Sequence, residues 1–298
     1  METSAPSSSV WFTESGGARL AVRDWLLPNA PRSAPASDPT SASARGIVLV
    51  VHGLGEHSGR YDRLAAQLVS AGFCMRAYDQ YGHGQSDGPR GGMDHAKRFT
   101  VDLAHVLNQT ISGLSSDLPL ILLGHSFGGL VAAYFIAEKR ASVQALVLSS
   151  PALDPGLSAV QKALVSTLPH VVPNLRVNNG LQLEYLSHDA SVIEAYRADP
   201  LVHAKVSARL ARFIADAGPA TVAKAAQWTV PTLLMWAGQD RLVAPAGSRA
   251  FAASAPAAVV RSREFGDLYH EIFNEQHADP VFAELLGWLD ERFPGAQS

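Results

Sequence analysis

Cysteine is almost absent from this sequence of 298 residues. The single cysteine, Cys74, cannot form an internal disulfide, so no disulfide framework is available to this chain. Its apolar neighbours Phe73 and Met75 predict a buried thiol in a strand. A chain without disulfides suits a reducing compartment, and we therefore expect a cytoplasmic protein.

Clusters of like charge and long hydrophobic runs are also missing. Lys and Arg number 24 against 27 Asp and Glu, giving a net charge of -3 and no basic block for nucleic acid. No apolar stretch approaches the roughly 20 residues of a membrane span. Residues 1–9 lack the basic and apolar segments of a secretory signal. We expect no nucleic-acid partner, and only peripheral contact with a membrane.

Apolar residues are plentiful, at 47% against 17% charged residues, and they come in short runs separated by helical patterns. This alternation predicts a mainly parallel sheet covered by helices on both faces, an α/β fold. The predicted parallel strands are residues 47–51, 73–78, 120–123, 143–148, 232–236 and 259–260. Residues 10–13 and 20–25 predict an opening antiparallel hairpin, and the Pro-, Ser- and Ala-rich residues 28–44 predict a flexible surface loop.

The strand rhythm stops between residues 151 and 228, over a length that exceeds any ordinary loop. We therefore predict a core domain of residues 1–150 and 229–298 with an inserted cap at 151–228. An apolar cluster in the cap, interrupted by prolines, can line an acyl pocket, touch lipid or pack the cap onto the core. Its members are Leu164, Val165, Leu168, Val171 and Val172, and the interrupting prolines are Pro169 and Pro173.

Residues 124–128 (GHSFG) carry the strongest chemical signal. A small-x-Ser-x-small turn between a buried strand and a helix is typical of the nucleophile elbow of serine hydrolases. Glycine at 124 and 128 avoids the collision of side chains across this tight turn. Ser126 is therefore the predicted nucleophile, and the helix predicted at 129–137 directs its positive end toward a developing oxyanion.

A serine nucleophile needs a histidine base and an acid that orients the base. In this architecture the three follow in the order serine, acid, histidine. Asp240 and His270 each follow a predicted strand, so the predicted triad is Ser126, Asp240 and His270. Asp154 and Asp267 are rivals for the acid. Asp154 lies at the entrance to the cap and Asp267 is too near the histidine in sequence, so Asp240 is preferred.

The oxyanion of acyl transfer must meet preorganised backbone donors. We predict the amide of Phe127, directly after the nucleophile, and the amide of Leu54, in the loop after the first parallel strand. Gly53 and Gly55 allow that loop to approach closely. This chemistry requires no metal or organic cofactor.

Five segments together resemble the monoacylglycerol lipases, within the serine α/β-hydrolases that also include lysophospholipase-like enzymes. They are residues 52–61 (HGLGEHSGRY), 82–88 (GHGQSDG), 124–128 (GHSFG), 199–202 (DPLV) and 270–275 (HEIFNE). The resemblance spans most of the chain from Ile47 onward. It implies an α/β-hydrolase fold with a mobile apolar cap, and hydrolysis of monoacylglycerols to glycerol and fatty acid.

The resemblance also implies a polar site for the glycerol end of the substrate. The residues that align with it are Glu56, Arg60, His125 and Tyr196. For Glu56 and Arg60, an internal salt bridge that holds the loop is an equal alternative.

Two positions depart from the family pattern, Tyr81 in place of arginine and Phe127 in place of methionine. Because Phe127 acts through its amide, the change concerns pocket shape and acyl preference rather than catalysis. The leading hypothesis is a monoacylglycerol hydrolase with a lipid ester substrate. The alternatives are a lysophospholipase or broad short-chain carboxylesterase, and a lipid-binding homologue without turnover. The last is disfavoured because all three triad residues are present.

Overall fold

The computed structural model of the protein describes residues 7–27, 44–114, 117–154, 156 and 158–295. Its strands are β1 (Ser8–Ser15), β2 (Ala18–Trp25), β3 (Ile47–Val51), β4 (Cys74–Tyr78), β5 (Leu120–His125), β6 (Ala145–Ser149), β7 (Arg176–Asn178), β8 (Lys205–Ser207), β9 (Thr232–Ala237) and β10 (Val260–Phe265). Its α-helices are α1 (Asp62–Ser70), α2 (Arg98–Leu114), α3 (Ser126–Ala137), α4 (Ala159–Val171), α5 (Ala190–Ala198), α6 (Ala208–Val222), α7 (Pro245–Ser254) and α8 (Asp279–Arg292). Within these ranges no helix is long and apolar enough to cross a bilayer.

Eight strands form one central sheet in the order β1-β2-β4-β3-β5-β6-β9-β10. The pairs β1–β2 and β2–β4 are antiparallel, and the other neighbours are parallel. Successive side chains of a strand point to opposite faces, so Leu49 of β3 joins one apolar layer while Val48 joins the other. Helix α3 packs through Leu130 on the first face and α8 through Trp288 on the second. The predicted mainly parallel α/β sheet, covered on both faces, is confirmed.

Most predicted strands are present with small changes at their ends. The hairpin is β1 and β2, and Cys74 is buried in β4, where burial raises the pKa of its thiol. The last strand is longer than the predicted residues 259–260, since β10 runs over Val260–Phe265. Its central residues, 261–264, are charged or polar and exposed at the edge of the sheet, so they form no apolar run. The predicted loop lies outside the described residues, except for Ala44, which is buried.

The segment predicted as a cap, residues 151–228 and hereafter called the insertion, separates β6 from β9. It contains α4, α5, α6 and a small antiparallel pair, β7 with β8, that the sequence did not predict. Of the two prolines that interrupt the apolar cluster, Pro169 lies inside α4, which continues to Val171. Pro173 instead follows the end of the helix, where a residue without an amide hydrogen cannot continue it.

Candidate active site

Ser126 lies at the turn from β5 into α3, and it has a positive φ of 54°. The turn leaves no room for side chains on either side. A Cβ on Gly124 would lie 2.5 Å from the carbonyl oxygen of Gly128, and a Cβ on Gly128 would lie 2.0 Å from that of Val51. Both predicted glycine requirements therefore have a steric cause, and the serine is held in a conformation that a non-glycine residue adopts only under constraint.

His270 and Asp240 form a hydrogen-bonded pair. The ring Nδ1–H of His270 donates to Oδ2 of Asp240 across 2.6 Å. The second carboxylate oxygen accepts the amides of Leu242 and Val243 at 2.8 and 2.9 Å, which fixes its orientation. Of the rival acids, Asp154 instead accepts the amide of Gly156 through its Oδ1. The geometry thus joins His270 to the preferred aspartate.

The environment of His270 sets its protonation. Burial of the ring lowers its pKa, but the negative charge of Asp240 and their hydrogen bond outweigh burial and leave the pKa above its ordinary value. The Glu271 and Glu56 carboxylates raise the pKa further. The site therefore stabilises an imidazolium at this position.

Ser126 and His270 line one cavity of about 220 Å³. Most of its wall is apolar and comes from both the core and the insertion. Apolar residues of the wall include Leu54, Phe127, Val165, Leu181, Ile214 and Val243. The cavity therefore combines a serine and a histidine with a predominantly hydrocarbon surface, as a site for an ester with an apolar chain requires.

Both predicted oxyanion donors belong to segments beside Ser126. Phe127 is in the first turn of α3, where backbone amides have no partner within the helix. The loop that carries Leu54 comes close, because a Cβ on Gly53 would lie 3.3 Å from Cβ of Ser126. The Phe127 ring packs edge-on against Phe99, with centroids 5.0 Å apart, and contributes to the cavity wall.

Three of the predicted head-group residues, Glu56, His125 and Tyr196, line this cavity. Nδ1 of His125 lies 3.0 Å from Oγ of Ser149, a partner that the sequence did not predict. Burial, together with His270 nearby, lowers the pKa of His125 to about 4, so its ring is neutral at neutral pH. Burial also raises the pKa of Tyr196, which therefore keeps its hydroxyl proton.

Arg60 has a different position from the other three. It lines a smaller neighbouring cavity of about 20 Å³ and pairs with Glu56 at 2.7 Å and with Glu271 at 2.6 Å. The internal salt bridge considered as an alternative is therefore present. Glu271 was not predicted as a site residue. It belongs to the 270–275 segment, but its partner is 211 residues away, so no local pattern shows the pairing.

The insertion contacts the loop at 53–57 directly. Nε2–H of His57 donates to Oδ2 of Asp199 across 2.8 Å, and the amide of His203 donates to the carbonyl of Gly55 across 2.8 Å. Gly55 has a φ of 81°, and a Cβ there would lie 2.4 Å from the carbonyl oxygen of His203. Asp199 of the 199–202 segment and His203, directly after that segment, therefore hold the insertion against this loop beside the cavity.

The sheet topology and the serine at its strand-to-helix turn define this chain as an α/β-hydrolase. It belongs to the Hydrolase_4 family, described as serine aminopeptidase, S33, which it matches over residues 42–277.

Individual relatives place the chain among ester hydrolases. It is 33% identical to a monoacylglycerol lipase of Mycolicibacterium smegmatis, over 93% of this chain and 95% of that protein. It is 33% identical to phospholipase YtpA of Bacillus subtilis, over 82% and 95%. The crystal structure of a Paleococcus ferrophilus monoacylglycerol lipase superimposes with a TM-score of 0.76 at 31% identity, covering 83% of this chain and 95% of that one. The predicted resemblance and the class of carboxylic ester hydrolase are confirmed.

Proposed function

We propose that the chain hydrolyses monoacylglycerols to glycerol and a fatty acid. The observation that carries the proposal is that His270, hydrogen-bonded to Asp240, lines one mainly apolar cavity with Ser126, a serine at a strained strand-to-helix turn. The monoacylglycerol lipase of Mycolicibacterium smegmatis, which is similar over nearly the whole chain, supports the choice of substrate.

In the proposed reaction, His270 removes the hydroxyl proton of Ser126 as its oxygen attacks the ester carbonyl. Asp240 holds the ring in the required tautomer and stabilises the imidazolium. The amides of Phe127 and Leu54 receive the oxyanion. The proton then passes from His270 to the departing glycerol oxygen, leaving an acyl-enzyme. Water activated by His270 releases the fatty acid and restores the serine.

The residues that line the cavity suit both ends of a monoacylglycerol. The apolar residues suit the acyl chain, whereas Glu56, the neutral His125 and Tyr196 offer acceptors and donors to glycerol hydroxyls. Arg60 contributes through its salt bridges rather than by contact with the head group.

We also propose that the insertion is a cap that contacts lipid surfaces from which substrate enters. The described residues include an exposed apolar patch on α4, β7 and the connection between them. Its members are Leu164, Val171, Val172, Leu175 and Val177. Arg176 lies within this run and is exposed, which favours a surface with some negative charge.

A second candidate is a lysophospholipase, because phospholipase YtpA is as similar in identity as the lipase. Both head groups are polar, and fold alone does not separate them. A broad carboxylesterase would accept short soluble esters without regard to the glycerol end.

The test is a panel of initial rates on monoacylglycerols of several chain lengths, diacylglycerols, triacylglycerols, a lysophospholipid and short soluble esters. The proposal expects the highest kcat/KM on monoacylglycerols. A higher value on the lysophospholipid would favour the second candidate, and activity limited to short esters would indicate a general esterase. No turnover of any ester would indicate a lipid-binding homologue.

A further inference from the structure

Arg60 is clamped between two carboxylates beside the cavity. Its Nη1 donates to Glu56 at 2.7 Å and to Glu271 at 2.6 Å, and its Nη2 donates to the second oxygen of Glu271 at 2.9 Å. The guanidinium also lies over the ring of Tyr196, with 4.6 Å between Cζ and the ring centroid. All three charged side chains are almost completely buried. A buried arrangement with these short contacts holds its members in one geometry.

One carboxylate of this clamp also holds the loop of the proposed oxyanion donor. Oε1 of Glu56 accepts the amide of Gly53 at 2.5 Å and the hydroxyl of Tyr61 at 2.8 Å. Gly53 directly precedes Leu54, so the bond to its amide restricts the orientation of the Leu54 amide. Burial would raise the pKa of Glu56, but Arg60 and nearby histidines lower it to about 2, so it stays an acceptor throughout the neutral range.

The other carboxylate holds the loop of the proposed base. Glu271 follows His270 in the chain, its second oxygen accepts Nδ2–H of Asn274 at 2.9 Å, and its backbone amide donates to Leu186 at 2.8 Å. Since both its side chain and its backbone are bonded, the chain direction at His270 is restricted as well. Arg60 therefore joins two loops that lie more than 200 residues apart in sequence.

We propose that Glu271 is a positioning residue which, through Arg60 and Glu56, ties the loop of Leu54 to the loop of His270. The inference rests on the proposed use of His270 and Leu54 in ester hydrolysis. It assigns Glu271 and its ion pair with Arg60 to the alignment of base and oxyanion donor, and not to recognition of glycerol.

The net charge of this buried cluster also affects the protonation of His270. Two carboxylates and one guanidinium leave one net negative charge beside His270. The titratable groups whose charges act on the His270 ring include Asp240, Glu271, Glu56 and His125. Removing the charge of Glu271 therefore favours the neutral ring, whereas changing Arg60 to lysine leaves the total charge unchanged.

The test compares Glu271→Gln with the parent protein on a monoacylglycerol and on a p-nitrophenyl ester of the same acyl chain. Because small misplacements of reacting groups slow chemistry strongly, kcat is expected to fall roughly 10- to 100-fold on both substrates. KM changes little. The acidic limb of kcat/KM against pH moves to lower pH, which loss of packing alone does not cause.

Two further variants separate geometry from charge and from folding. Arg60→Lys keeps the charge but loses the two-pronged contact, so kcat falls on both substrates while the acidic limb stays in place. Glu264→Gln removes one member of an exposed ion pair with Arg249 and leaves both rates unchanged. Labelling with a fluorophosphonate counts competent active sites. The value of kcat is calculated per labelled site, so misfolded protein does not lower it.

A higher KM for the monoacylglycerol, with the p-nitrophenyl ester rate unchanged, would overturn the inference and assign the cluster to the head group. Unchanged kcat per labelled site in both variants would overturn it as well. Failure of the proposed substrate is a separate result. In that case the parent protein cleaves only the p-nitrophenyl ester, and the comparison of variants on that ester still decides the role of Glu271.

Discussion

The His270 imidazole serves the fold and the proposed reaction in opposite protonation states. Its pKa is raised because Asp240 outweighs burial. The protonated ring therefore stabilises the fold, fully below the unfolded-state pKa of about 6.5. This contribution is lost as pH rises through the higher folded-state pKa. The proposed base must be neutral, so activity increases over the pH interval in which this contribution to stability declines.

Replacing Asp240 with asparagine tests that balance. Without the carboxylate, burial is opposed only by the two glutamates, so the acidic limb of kcat/KM moves to lower pH. We expect kcat to fall by about 10⁴-fold, because the ring loses its orienting acceptor. The measurement is a pH profile of initial rates. The matched control is Asp216→Asn, which removes an exposed ion pair on α6 and leaves the profile unchanged. An Asp240→Asn profile identical to that of the parent would contradict the assigned acid.

Ser126→Ala tests the nucleophile. The loss of one member of a triad that acts as a unit is expected to lower kcat by about 10⁴- to 10⁶-fold. Labelling by a fluorophosphonate should disappear at the same time. Ser166→Ala provides the control, because Ser166 is exposed on α4 and its hydroxyl donates to the carbonyl of Ala163 in the same helix. Residual labelling of Ser126→Ala at the parent level would show that another residue is the nucleophile.

For individual residues, the sequence predicted those site positions that depend on the order of residues in the chain or on a local turn. Ser126 follows from its glycine-flanked turn, and Asp240 and His270 follow from their places after strands. The pairing of Arg60 with Glu271 and of His125 with Ser149 joins residues 211 and 24 positions apart. Such contacts depend on how the strands are ordered in space, which the sequence pattern did not specify.

Among the elements, the junction of β5 and α3 has a closely packed backbone. Gly128→Ala would place a methyl group 2.0 Å from the carbonyl oxygen of Val51, a backbone atom that cannot move away cheaply. We expect a loss of about 3 kcal/mol or more in the free energy of unfolding. The measurement is the denaturation midpoint together with the yield of folded protein. A midpoint equal to that of the parent would contradict the packing.

The control for this substitution is Gly287→Ala, the same chemical change in another helix. Gly287 lies inside α8, and a Cβ there meets no atom within 4 Å. Because alanine lowers the entropy of the unfolded chain and favours the helix, stability should rise by about 0.5–1 kcal/mol. The stabilities of the two variants therefore change in opposite directions, because the space around the new methyl group differs.

Buried strands were predicted from the sequence more accurately than exposed or short ones. The strands β3 and β9 are buried throughout and read as apolar runs, so their limits were predicted almost correctly. Strand β10 lies at the edge with four exposed residues, and β7 and β8 have three residues each. Short or edge strands bury too little for hydrophobic periodicity to reveal them.

Across the whole molecule, the apolar residues of the insertion have two different surroundings. Val165 lines the cavity, whereas Val171 on the same helix is 80% exposed. The sequence predicted the cluster but left cavity, lipid and core packing open for it. Helical periodicity alone could not choose between them, since the choice depends on how α4 packs against its neighbours. The structure thus gives part of the cluster to the cavity and part to the surface.

The exposed part makes membrane contact a testable property of the whole protein. Val171→Glu replaces the most exposed apolar side chain of the patch with a charged one, so partitioning onto vesicles should weaken roughly tenfold or more. The assay is flotation with phosphatidylcholine vesicles containing phosphatidylglycerol. Val101→Glu is the matched control, because Val101 is an exposed valine on α2, outside the insertion. Rates on a short soluble ester should remain at the parent level in both variants, since neither valine lines the cavity. Equal flotation of both variants and the parent would show that the patch does not meet lipid, whereas selective loss in Val171→Glu would identify it as the membrane-facing surface.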